Sequence, residues 1–338
     1  MRKGLLVAFL LVLVVSLVAA SNYSDAKSKI LTKPVTIVCP YSAGGGTDLM
    51  NRALAEGMKE YLGVQVNVVN MTGGLGGVAT DYVWNKPHDG YLLLGASETN
   101  LFLPANGGHN TTTKDWEYFM AGGSPGVAMV AYNSKYQTFK DLVDDAKANP
   151  GKIKVAGSVM GGLWSTKWMV VAEAIGIETN VLGYGGSAPS ITACMTGEVD
   201  VVHVSAGEAL SYMQAKKLRP LIATEVKPVE IPGVGTVAPI TDSYPELKKV
   251  LPMPQWLGFA VPADTPKKVL DEITKAFNAA MKHKAVKDML ASQLASSYGY
   301  SGKEAKKVAQ DLESKFCWTL VKLNMAKTNP ADLGIPKP

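Results

Sequence analysis

The sequence predicts an α/β fold organised in two units. Apolar, β-branched runs alternate with amphipathic segments along most of the chain, which is typical of parallel sheets with helical connections. The length of 338 residues exceeds what one hydrophobic core usually organises. Small and polar residues, many of them glycine, follow strand after strand. Because ligands of open α/β sheets bind at the carboxyl ends of strands, these junctions are the candidate site.

The first unit is predicted from an alternation near the N-terminus. Strands are expected at residues 35–39, 64–69 and 91–94, and helices at residues 47–61 and 78–85. β-Branched residues favour the strands, and turn residues such as Asp-Gly at 89–90 separate the elements.

A second α/β series begins after the glycine-rich segment at 122–126. Its strands are expected at 127–132, 153–156, 180–182, 199–204 and 220–224, with helices between them. Residues 226–254 are rich in proline and glycine and are predicted to be an irregular connector. A strand at 256–261 and helices at 266–282, 286–293 and 303–324 complete the chain.

One turn stands out, Pro-Tyr-Ser-Ala-Gly-Gly-Gly-Thr-Asp at residues 40–48. Pro40 ends the preceding strand, the glycines allow positive φ angles, and Thr47 and Asp48 suit the first turn of a helix. Such a turn presents unpaired backbone N–H groups and the positive end of a helix dipole. It predicts an anion site, with a ligand-free βα turn as the open alternative.

The N-terminus has the pattern of a secretory signal. Arg2 and Lys3 precede an apolar run at 5–18 and small residues at 19–21, which predicts a signal peptide at residues 1–20. The apolar run is short for a membrane span. We therefore expect an exported, soluble protein.

Charge and metal-ligating residues argue against several classes of function. Losing Arg2 and Lys3 lowers the net charge from +5 by two, to +3, which is too mild for a nucleic-acid partner. The three cysteines and four histidines lack metal-ligand spacing, so no metal site is predicted. The cysteines are expected to be buried, and His203, inside an apolar run, is expected to be a hydrogen-bonded core residue.

Two motifs suggest an enzyme. Residues 122–126 fit the G-x-S-x-G pattern of a nucleophile elbow, but Pro125 cannot donate the backbone N–H that an oxyanion hole needs there. Residues 74–79 fit a loose dinucleotide fingerprint, G-x-G-x-x-A. An exported NAD-linked enzyme that uses Gly74 to Ala79 is therefore the alternative function.

Further motifs follow the turn at 40–48 in a fixed order. They are Gly-Gly-Leu-Gly-Gly at 73–77, Pro-His-Asp-Gly-Tyr-Leu-Leu at 87–93, Gly-Tyr-Gly-Gly-Ser-Ala-Pro at 183–189 and Trp-Leu-Gly-Phe at 256–259. Together they resemble the substrate-binding proteins of tripartite tricarboxylate transporters, the Bug or TctC family. The resemblance covers essentially the whole mature chain.

This resemblance implies a type II periplasmic binding protein fold, in which two α/β lobes close on a ligand in the cleft between them. Lobe 1 would comprise residues 21–125 and 225–338, and lobe 2 residues 126–224. The implied function is that of a periplasmic receptor and not of an enzyme. Such a receptor needs no cofactor, captures a small organic carboxylate and delivers it to the membrane permease subunits of the transporter. We expect it to be a monomer.

The resemblance also implies where the ligand binds. In this family the first glycine loop holds a ligand carboxylate through its backbone and ordered water, and lobe 2 adds polar contacts. Asp48 would repel an anion and is assigned a structural role. The sequence departs from the family after Gly161-Gly162, where Leu163-Trp164 replaces a small polar residue and a His-Leu pair, so Trp164 either enters the cleft or packs on the sheet. The expected ligand-binding residues are Tyr41, Ser42, Ala43, Gly44, Gly45, Thr47, Ser97, Thr99, Ser158, Gly161, Gly162, Trp164, Tyr184, Gly186 and Ser205.

Overall fold

The computed structural model describes residues 30–338. The predicted signal peptide, residues 1–20, lies outside the described residues. The described chain forms a six-stranded sheet, a five-stranded sheet and a two-stranded hairpin, with helices packed on the two larger sheets. It therefore has the predicted α/β fold with two lobes.

The strands carry labels in chain order. They are β1 (Val35–Cys39), β2 (Val66–Asn70), β3 (Leu92–Ser97), β4 (Trp116–Gly123), β5 (Gly126–Ala131), β6 (Lys154–Ala156), β7 (Asn180–Leu182), β8 (Val201–Ser205), β9 (Leu218–Ala223), β10 (Val229–Ile231), β11 (Gly235–Val237), β12 (Leu257–Pro262) and β13 (Ser296–Tyr300).

The helices are labelled in the same way. They are α1 (Gly46–Leu62), α2 (Gly77–Trp84), α3 (Leu103–Asn106), α4 (Phe139–Ala148), α5 (Leu163–Ala174), α6 (Ser187–Met195), α7 (Ala206–Gln214), α8 (Ile240–Ser243), α9 (Lys267–Ala280), α10 (Lys284–Ser292) and α11 (Gly302–Lys322). Short 3₁₀ turns lie at Gly74–Gly76, Glu98–Phe102, Pro245–Lys249 and Pro330–Leu333.

The six-stranded sheet has the order β13-β4-β12-β3-β1-β2. Strand β1 pairs in parallel with β2 and β3, whereas β12 runs antiparallel to β3 and β4. The register pairs Leu257 with Ser97 and with Gly122, so the start of β12 lies beside the ends of β3 and β4. The turn after β1, the polar end of β3 and the start of β12 therefore share one edge.

The five-stranded sheet has the order β7-β6-β8-β5-β9. Strand β6 pairs in parallel with β7 and β8, and β5 runs antiparallel to β8 and β9. Gly126 at the start of β5 is paired with Ser205 at the end of β8. The glycine-rich segments after β6 and β7 lie at this same edge of the second sheet.

The chain crosses between the sheets near Gly126 and Glu225. The backbone N–H of Gly126 donates to Glu225 Oε1 at 2.7 Å, and Lys167 Nζ donates to the same oxygen at 2.6 Å. Lys167 is fully buried, so this ion pair lies inside the protein. A buried pair stabilises when additional hydrogen bonds satisfy its charges, and here the Gly126 N–H supplies one. The pair therefore ties α5 to the crossing segment.

Several predicted elements differ from the structure. The segment at 226–254, predicted to be irregular, contains the β10–β11 hairpin, the short helix α8 and a 3₁₀ turn. Strands β4 and β13 were not predicted. Strand β13 contains two serines and a glycine and has an exposed-to-intermediate burial pattern, so its sequence lacks the apolar signal of a buried strand. Within the part of the chain that the structure describes, no helix is long and apolar enough to cross a membrane.

Candidate ligand-binding site

A cavity of about 110 Å³ lies where the edges of the two sheets face each other. Lobe 1 contributes the turn after β1, the end of β3 and the start of β12, and lobe 2 contributes the segments that follow β6, β7 and β8. A single water needs about 10–15 Å³ by this measure, so the cavity can hold a small molecule.

Three helices begin at this cavity, each with glycine at the N-cap. Helix α1 follows Gly45, α5 follows Gly162 and α6 follows Gly186. Glycine has no side-chain oxygen to satisfy the first N–H groups of a helix, so these donors stay available. Three positive helix ends that converge on one cavity favour a negatively charged ligand group.

The first glycine turn is braced by a polar network behind the cavity. Gly44 has φ = 82°, a left-handed conformation that glycine adopts without strain. Its N–H donates to Asp48 Oδ2 at 2.9 Å, and Arg52 and Asn70 also donate to the Asp48 carboxylate. These hydrogen bonds from Arg52, Gly44 and Asn70 outweigh burial and lower the pKa of Asp48. Asp48 has the structural role that was predicted for it.

A second polar group joins the turn to the end of β3. Ser97 Oγ donates to the Tyr41 hydroxyl, and that hydroxyl donates to Asn100 Oδ1, both at 3.3 Å. Burial raises the pKa of Tyr41 well above its usual range, so Tyr41 stays a neutral donor and acceptor. Ser97 also accepts the N–H of Thr99, which begins the next turn. These contacts hold Tyr41, Ser97 and Thr99 along one wall of the cavity.

Two glutamates also line the cavity. Glu98 of lobe 1 is buried, and its Oε2 accepts the backbone N–H of Trp256 at 3.0 Å. Burial, with a small contribution from the nearby Glu208 carboxylate, outweighs the hydrogen bond from the Trp256 N–H and raises the pKa of Glu98 to about 8. Glu208 of lobe 2 is half-buried, and its Oε2 accepts hydrogen bonds from Ser205 Oγ at 2.6 Å and Ser187 Oγ at 3.0 Å.

The wall from lobe 2 contains Ser158 and Trp164. Ser158 has φ = 62°, an uncommon conformation for a residue other than glycine, and its carbonyl accepts the N–H of Tyr184 at 2.7 Å. Trp164 lines the cavity and packs edge-on against His203, with ring centroids 5.6 Å apart. Trp164 therefore both lines the cavity and packs in the core of lobe 2.

His203 is a fully buried, hydrogen-bonded core residue, as predicted. Its ring nitrogens lie 2.8 Å from the Trp164 carbonyl oxygen and 2.8 Å from Thr224 Oγ1. Burial, with the Lys167 charge nearby, lowers the pKa of His203 to about 3, so the ring is neutral. The cysteines Cys39, Cys194 and Cys317 are free and buried, which confirms that prediction.

The two lobes are in direct contact on both sides of the cavity. Asn106 Nδ2 of lobe 1 donates to the Gly161 carbonyl of lobe 2 at 3.3 Å. A β-carbon on Gly46 would lie 3.7 Å from Glu208 Oε1, so the start of α1 faces lobe 2 closely. The lobes therefore contact each other beside the cavity.

Of the fifteen residues expected at the site, nine line the cavity. They are Tyr41, Ser42, Gly45, Thr47, Ser97, Thr99, Ser158, Trp164 and Gly186.

The other six lie beside the cavity without lining it. Ser205 holds Glu208, Gly161 accepts from Asn106, and Gly162 caps α5. Gly44 donates to Asp48, Ala43 lies within the same turn, and the Tyr184 hydroxyl donates to Glu198 at 2.8 Å, on the exposed side of lobe 2.

The sequence reasoning missed the two glutamates and Gln255 in the cavity lining. Glu98 follows Ser97 directly and could have been found from its place at the end of a strand. Glu208 sits one turn into α7 and Gln255 precedes β12, so their approach to the cavity depends on how the lobes face each other.

The two enzyme motifs have structural roles here. At Gly74 to Ala79 the chain makes a 3₁₀ turn and enters α2, and a β-carbon on Gly77 would collide with the Gly108 carbonyl oxygen. Close packing against Gly108 is therefore enough to explain glycine at position 77, and the motif does not favour the NAD alternative. At 122–126 the chain ends β4 and begins β5, and Ser124 Oγ accepts the N–H of Gly207 at 3.1 Å. No group of three metal-ligating side chains occurs within residues 30–338.

Two facing α/β lobes with a ligand-sized cavity between them define a solute-binding protein. Residues 50–325 match the family model for the tripartite tricarboxylate transporter family receptor. The chain belongs to this family, which confirms the resemblance seen in the sequence.

Curated relatives and solved structures agree with this assignment. BugT of Bordetella pertussis is 27% identical over 267 residues, which cover 77% of this chain and 80% of BugT. A UPF0065 protein from the gbd 5′ region of Cupriavidus necator is 27% identical over 317 residues, covering 91% of this chain and 93% of that protein.

The structure of the periplasmic binding protein BugD matches with a TM-score of 0.77 at 22% identity, covering 88% of this chain and 99% of BugD. MatC from Rhodopseudomonas palustris with bound malate matches with a TM-score of 0.74 at 16% identity, covering 86% of this chain and 99% of MatC. At these identities the structural likeness shows a shared fold.

Proposed function

We propose that this receptor binds a small organic carboxylate in the cavity between its lobes and delivers it to the permease subunits of a tripartite tricarboxylate transporter. The observation that carries the proposal is the convergence of three glycine-capped helix starts, after Gly45, Gly162 and Gly186, on one cavity. Their free N–H groups suit a carboxylate, and the cavity size suits a ligand of few atoms.

Related proteins give the ligand class some support. MatC is described with bound malate and another Rhodopseudomonas palustris protein of this fold with adipate, and both ligands are small carboxylates. We propose that the nine predicted residues in the cavity lining contact the ligand. The remaining six support the glycine turns and the lobe contacts around it.

The same proposal covers location and assembly. A receptor of this family works outside the cytoplasm, so we propose a periplasmic, soluble, monomeric protein after removal of residues 1–20. The lobe boundaries follow the crossings, with lobe 2 at 126–224 and lobe 1 at 21–125 and 225–338. Binding and release without chemical change need neither a catalytic group nor a cofactor, so we propose that the protein is not an enzyme.

A thermal-shift screen of the mature protein tests the ligand class. A ligand that binds only the folded state at a hundred times its Kd stabilises it by about 2.7 kcal/mol, which raises the melting temperature. We expect shifts with carboxylates and none with NAD. A shift with NAD alone would contradict the proposal.

The variant Gly45→Glu tests the site itself. Gly45 has φ = −74°, so any residue can adopt its backbone conformation, and a β-carbon there would lie 3.3 Å from the Ser42 carbonyl oxygen. We expect Gly45→Glu to fold and to lose binding, because the new carboxylate occupies the turn at residues 40–48, here called the anion turn, where the ligand carboxylate would bind. Gly45→Gln, of equal size and no charge, is the matched control and should bind better than Gly45→Glu. Equal binding by Gly45→Glu and the unmodified protein would place the ligand elsewhere.

A further inference from the structure

The charges that line the cavity are unusual for a site that receives an anion. Glu98 and Glu208 are both in the lining, and none of the described lining residues is Lys, Arg or His. Backbone N–H groups therefore supply the attraction for a carboxylate, and Glu208 opposes it. Like charges at close range repel strongly in a cleft that excludes water. A ligand with several negative charges fits this cavity poorly.

Glu208 is held in place for contact with a ligand. Hydroxyl groups of Ser205 and Ser187 both donate to its Oε2, at 2.6 Å and 3.0 Å. Its Oε1 faces lobe 1, at 3.7 Å from the position of a β-carbon on Gly46. Glu208 Oε1 thus lies opposite the start of α1, close enough to contact a ligand that is bound at the anion turn.

The aromatic side chains of the lining, like Glu208, suit a positively charged group of a ligand. Trp164 and Tyr41 both line the cavity, from lobe 2 and lobe 1 respectively. The face of an aromatic ring attracts cations, and tryptophan does so best. Lys167 Nζ already lies 5.7 Å from the centroid of the Trp164 ring. The Glu208 carboxylate is therefore the main group that the cavity offers to a positive charge, beside helix starts for a negative one.

We propose that the ligand carries a cationic nitrogen as well as a carboxylate, and that Glu208 is the specificity-determining residue that pairs with that nitrogen. This inference rests on the proposed function, because the helix starts must still take the carboxylate. The ligand class is then that of amino acids and betaines, whose opposite charges lie a few bonds apart. Glu98 is buried and its Oε2 accepts the Trp256 N–H, so that oxygen already has a partner within lobe 1.

Matched ligands test the proposal on the unmodified protein. Butyrate, glutarate and 4-aminobutyrate share a carboxylate on a three-carbon segment, which ends in hydrogen, a second carboxylate or an ammonium group respectively. α-Amino acids and glycine betaine extend the set. We expect at least tenfold tighter binding for amine-bearing carboxylates than for their partners without nitrogen, measured by titration calorimetry. Simple carboxylates that bind as well as, or better than, amine-bearing ones would overturn the inference and leave the receptor function intact.

The variant Glu208→Gln tests the residue. A hydrogen bond to a charged group is worth roughly tenfold to a hundredfold in affinity, so we expect a loss of that size for amine-bearing carboxylates only. Glu56→Gln removes the same charge from an exposed position on α1 and should bind like the unmodified protein. A Glu208→Gln protein that keeps its discrimination, or gains affinity for all carboxylates equally, would overturn the role of Glu208.

The same series of ligands distinguishes a failure of this inference from a failure of the proposed receptor function. Binding of amines that lack a carboxylate would support the Glu208 contact and contradict the carboxylate receptor. Binding of no carboxylate, with or without nitrogen, would contradict both. If Glu208→Gln fails to fold, the ligand series on the unmodified protein still decides the ligand class.

Discussion

At the scale of the residue, burial decides the chemistry of Glu98. Its side chain lies in the lobe 1 wall of the cavity and accepts a hydrogen bond from the Trp256 N–H. Its other neighbours are the Glu208 carboxylate and the phenol groups of Tyr41 and Tyr298. None of these neighbours is a cation. Burial raises the pKa of Glu98 to about 8, so this carboxyl is mainly protonated in the folded protein at neutral pH.

This pKa predicts a pH-dependent stability. Because the folded-state pKa lies above the ordinary value of 4.5, the contribution of Glu98 is fully present below pH 4.5 and is lost as the pH rises toward 8 and beyond. Glu98→Gln cannot ionise, so it should lose less stability than the unmodified protein between pH 5 and pH 9, by an amount on the order of a few kcal/mol. Urea unfolding at several pH values measures this difference. Parallel profiles for the two proteins would show that Glu98 ionises normally.

At the scale of the element, α1 serves both the site and the core. Its first turn lines the cavity, whereas its later turns pack on α9 and α10 through Met50, Leu54 and Met58, which are fully buried. Gly57 allows the closest approach, since a β-carbon there would lie 2.7 Å from the Ala280 Cα atom and 2.9 Å from the His283 Cβ atom. The position of the anion turn therefore depends on a helix packing contact far from the ligand.

The variant Gly57→Ala should destabilise the protein. Alanine favours a helix over glycine by about 0.5–1 kcal/mol, but overpacking against a backbone atom costs about 1–3 kcal/mol. We expect a net loss of about 1 kcal/mol in the free energy of unfolding, measured in urea, with ligand affinity of the folded protein largely kept. Glu56→Ala, exposed on the same helix, is the control. A more stable Gly57→Ala protein would mean that α1 and α9 can separate without cost.

At the scale of the whole molecule, the lobes touch on both sides of the cavity. Asn106 reaches from α3 to the Gly161 carbonyl, and Glu208 reaches from α7 toward Gly46. The two crossing segments are joined by the hydrogen bond from the Gly126 N–H to Glu225, and the Lys167–Glu225 pair ties them to α5. We expect the ligand to stabilise this contact between the lobes, as in other hinged binding proteins.

The variant Asn106→Ala tests the contribution of lobe contact to affinity. It removes one hydrogen bond between the lobes and no residue of the cavity lining. A net contribution of about 0.5–1.5 kcal/mol predicts a loss in affinity of about twofold to tenfold by titration calorimetry. Asn85→Ala is the matched control, because the Asn85 side chain donates to Asp81 within lobe 1. Unchanged affinity in Asn106→Ala would show that this contact is absent from the ligand-bound form.

Local signals in the sequence determined the two α/β units, the family and the glycine turns. Alternating apolar runs predict strands and helices, and Pro40 with the glycines at 44–46 predicts the anion turn, because these preferences act between residues close in the chain. Nine of the fifteen expected site residues lie at the cavity for this reason.

Only the tertiary structure decided which side chains from distant segments share the cavity. Glu208 enters the lining because lobe 2 faces the start of α1. Leu257, with Gln255 just before it, enters the lining because β12 pairs with the ends of β3 and β4. Strand β4 is recognised only once β12 and β13 pair on either side of it. Contacts between residues more than a hundred positions apart depend on tertiary packing, which local sequence preferences do not encode. This packing places the Glu208 carboxylate opposite the anion turn.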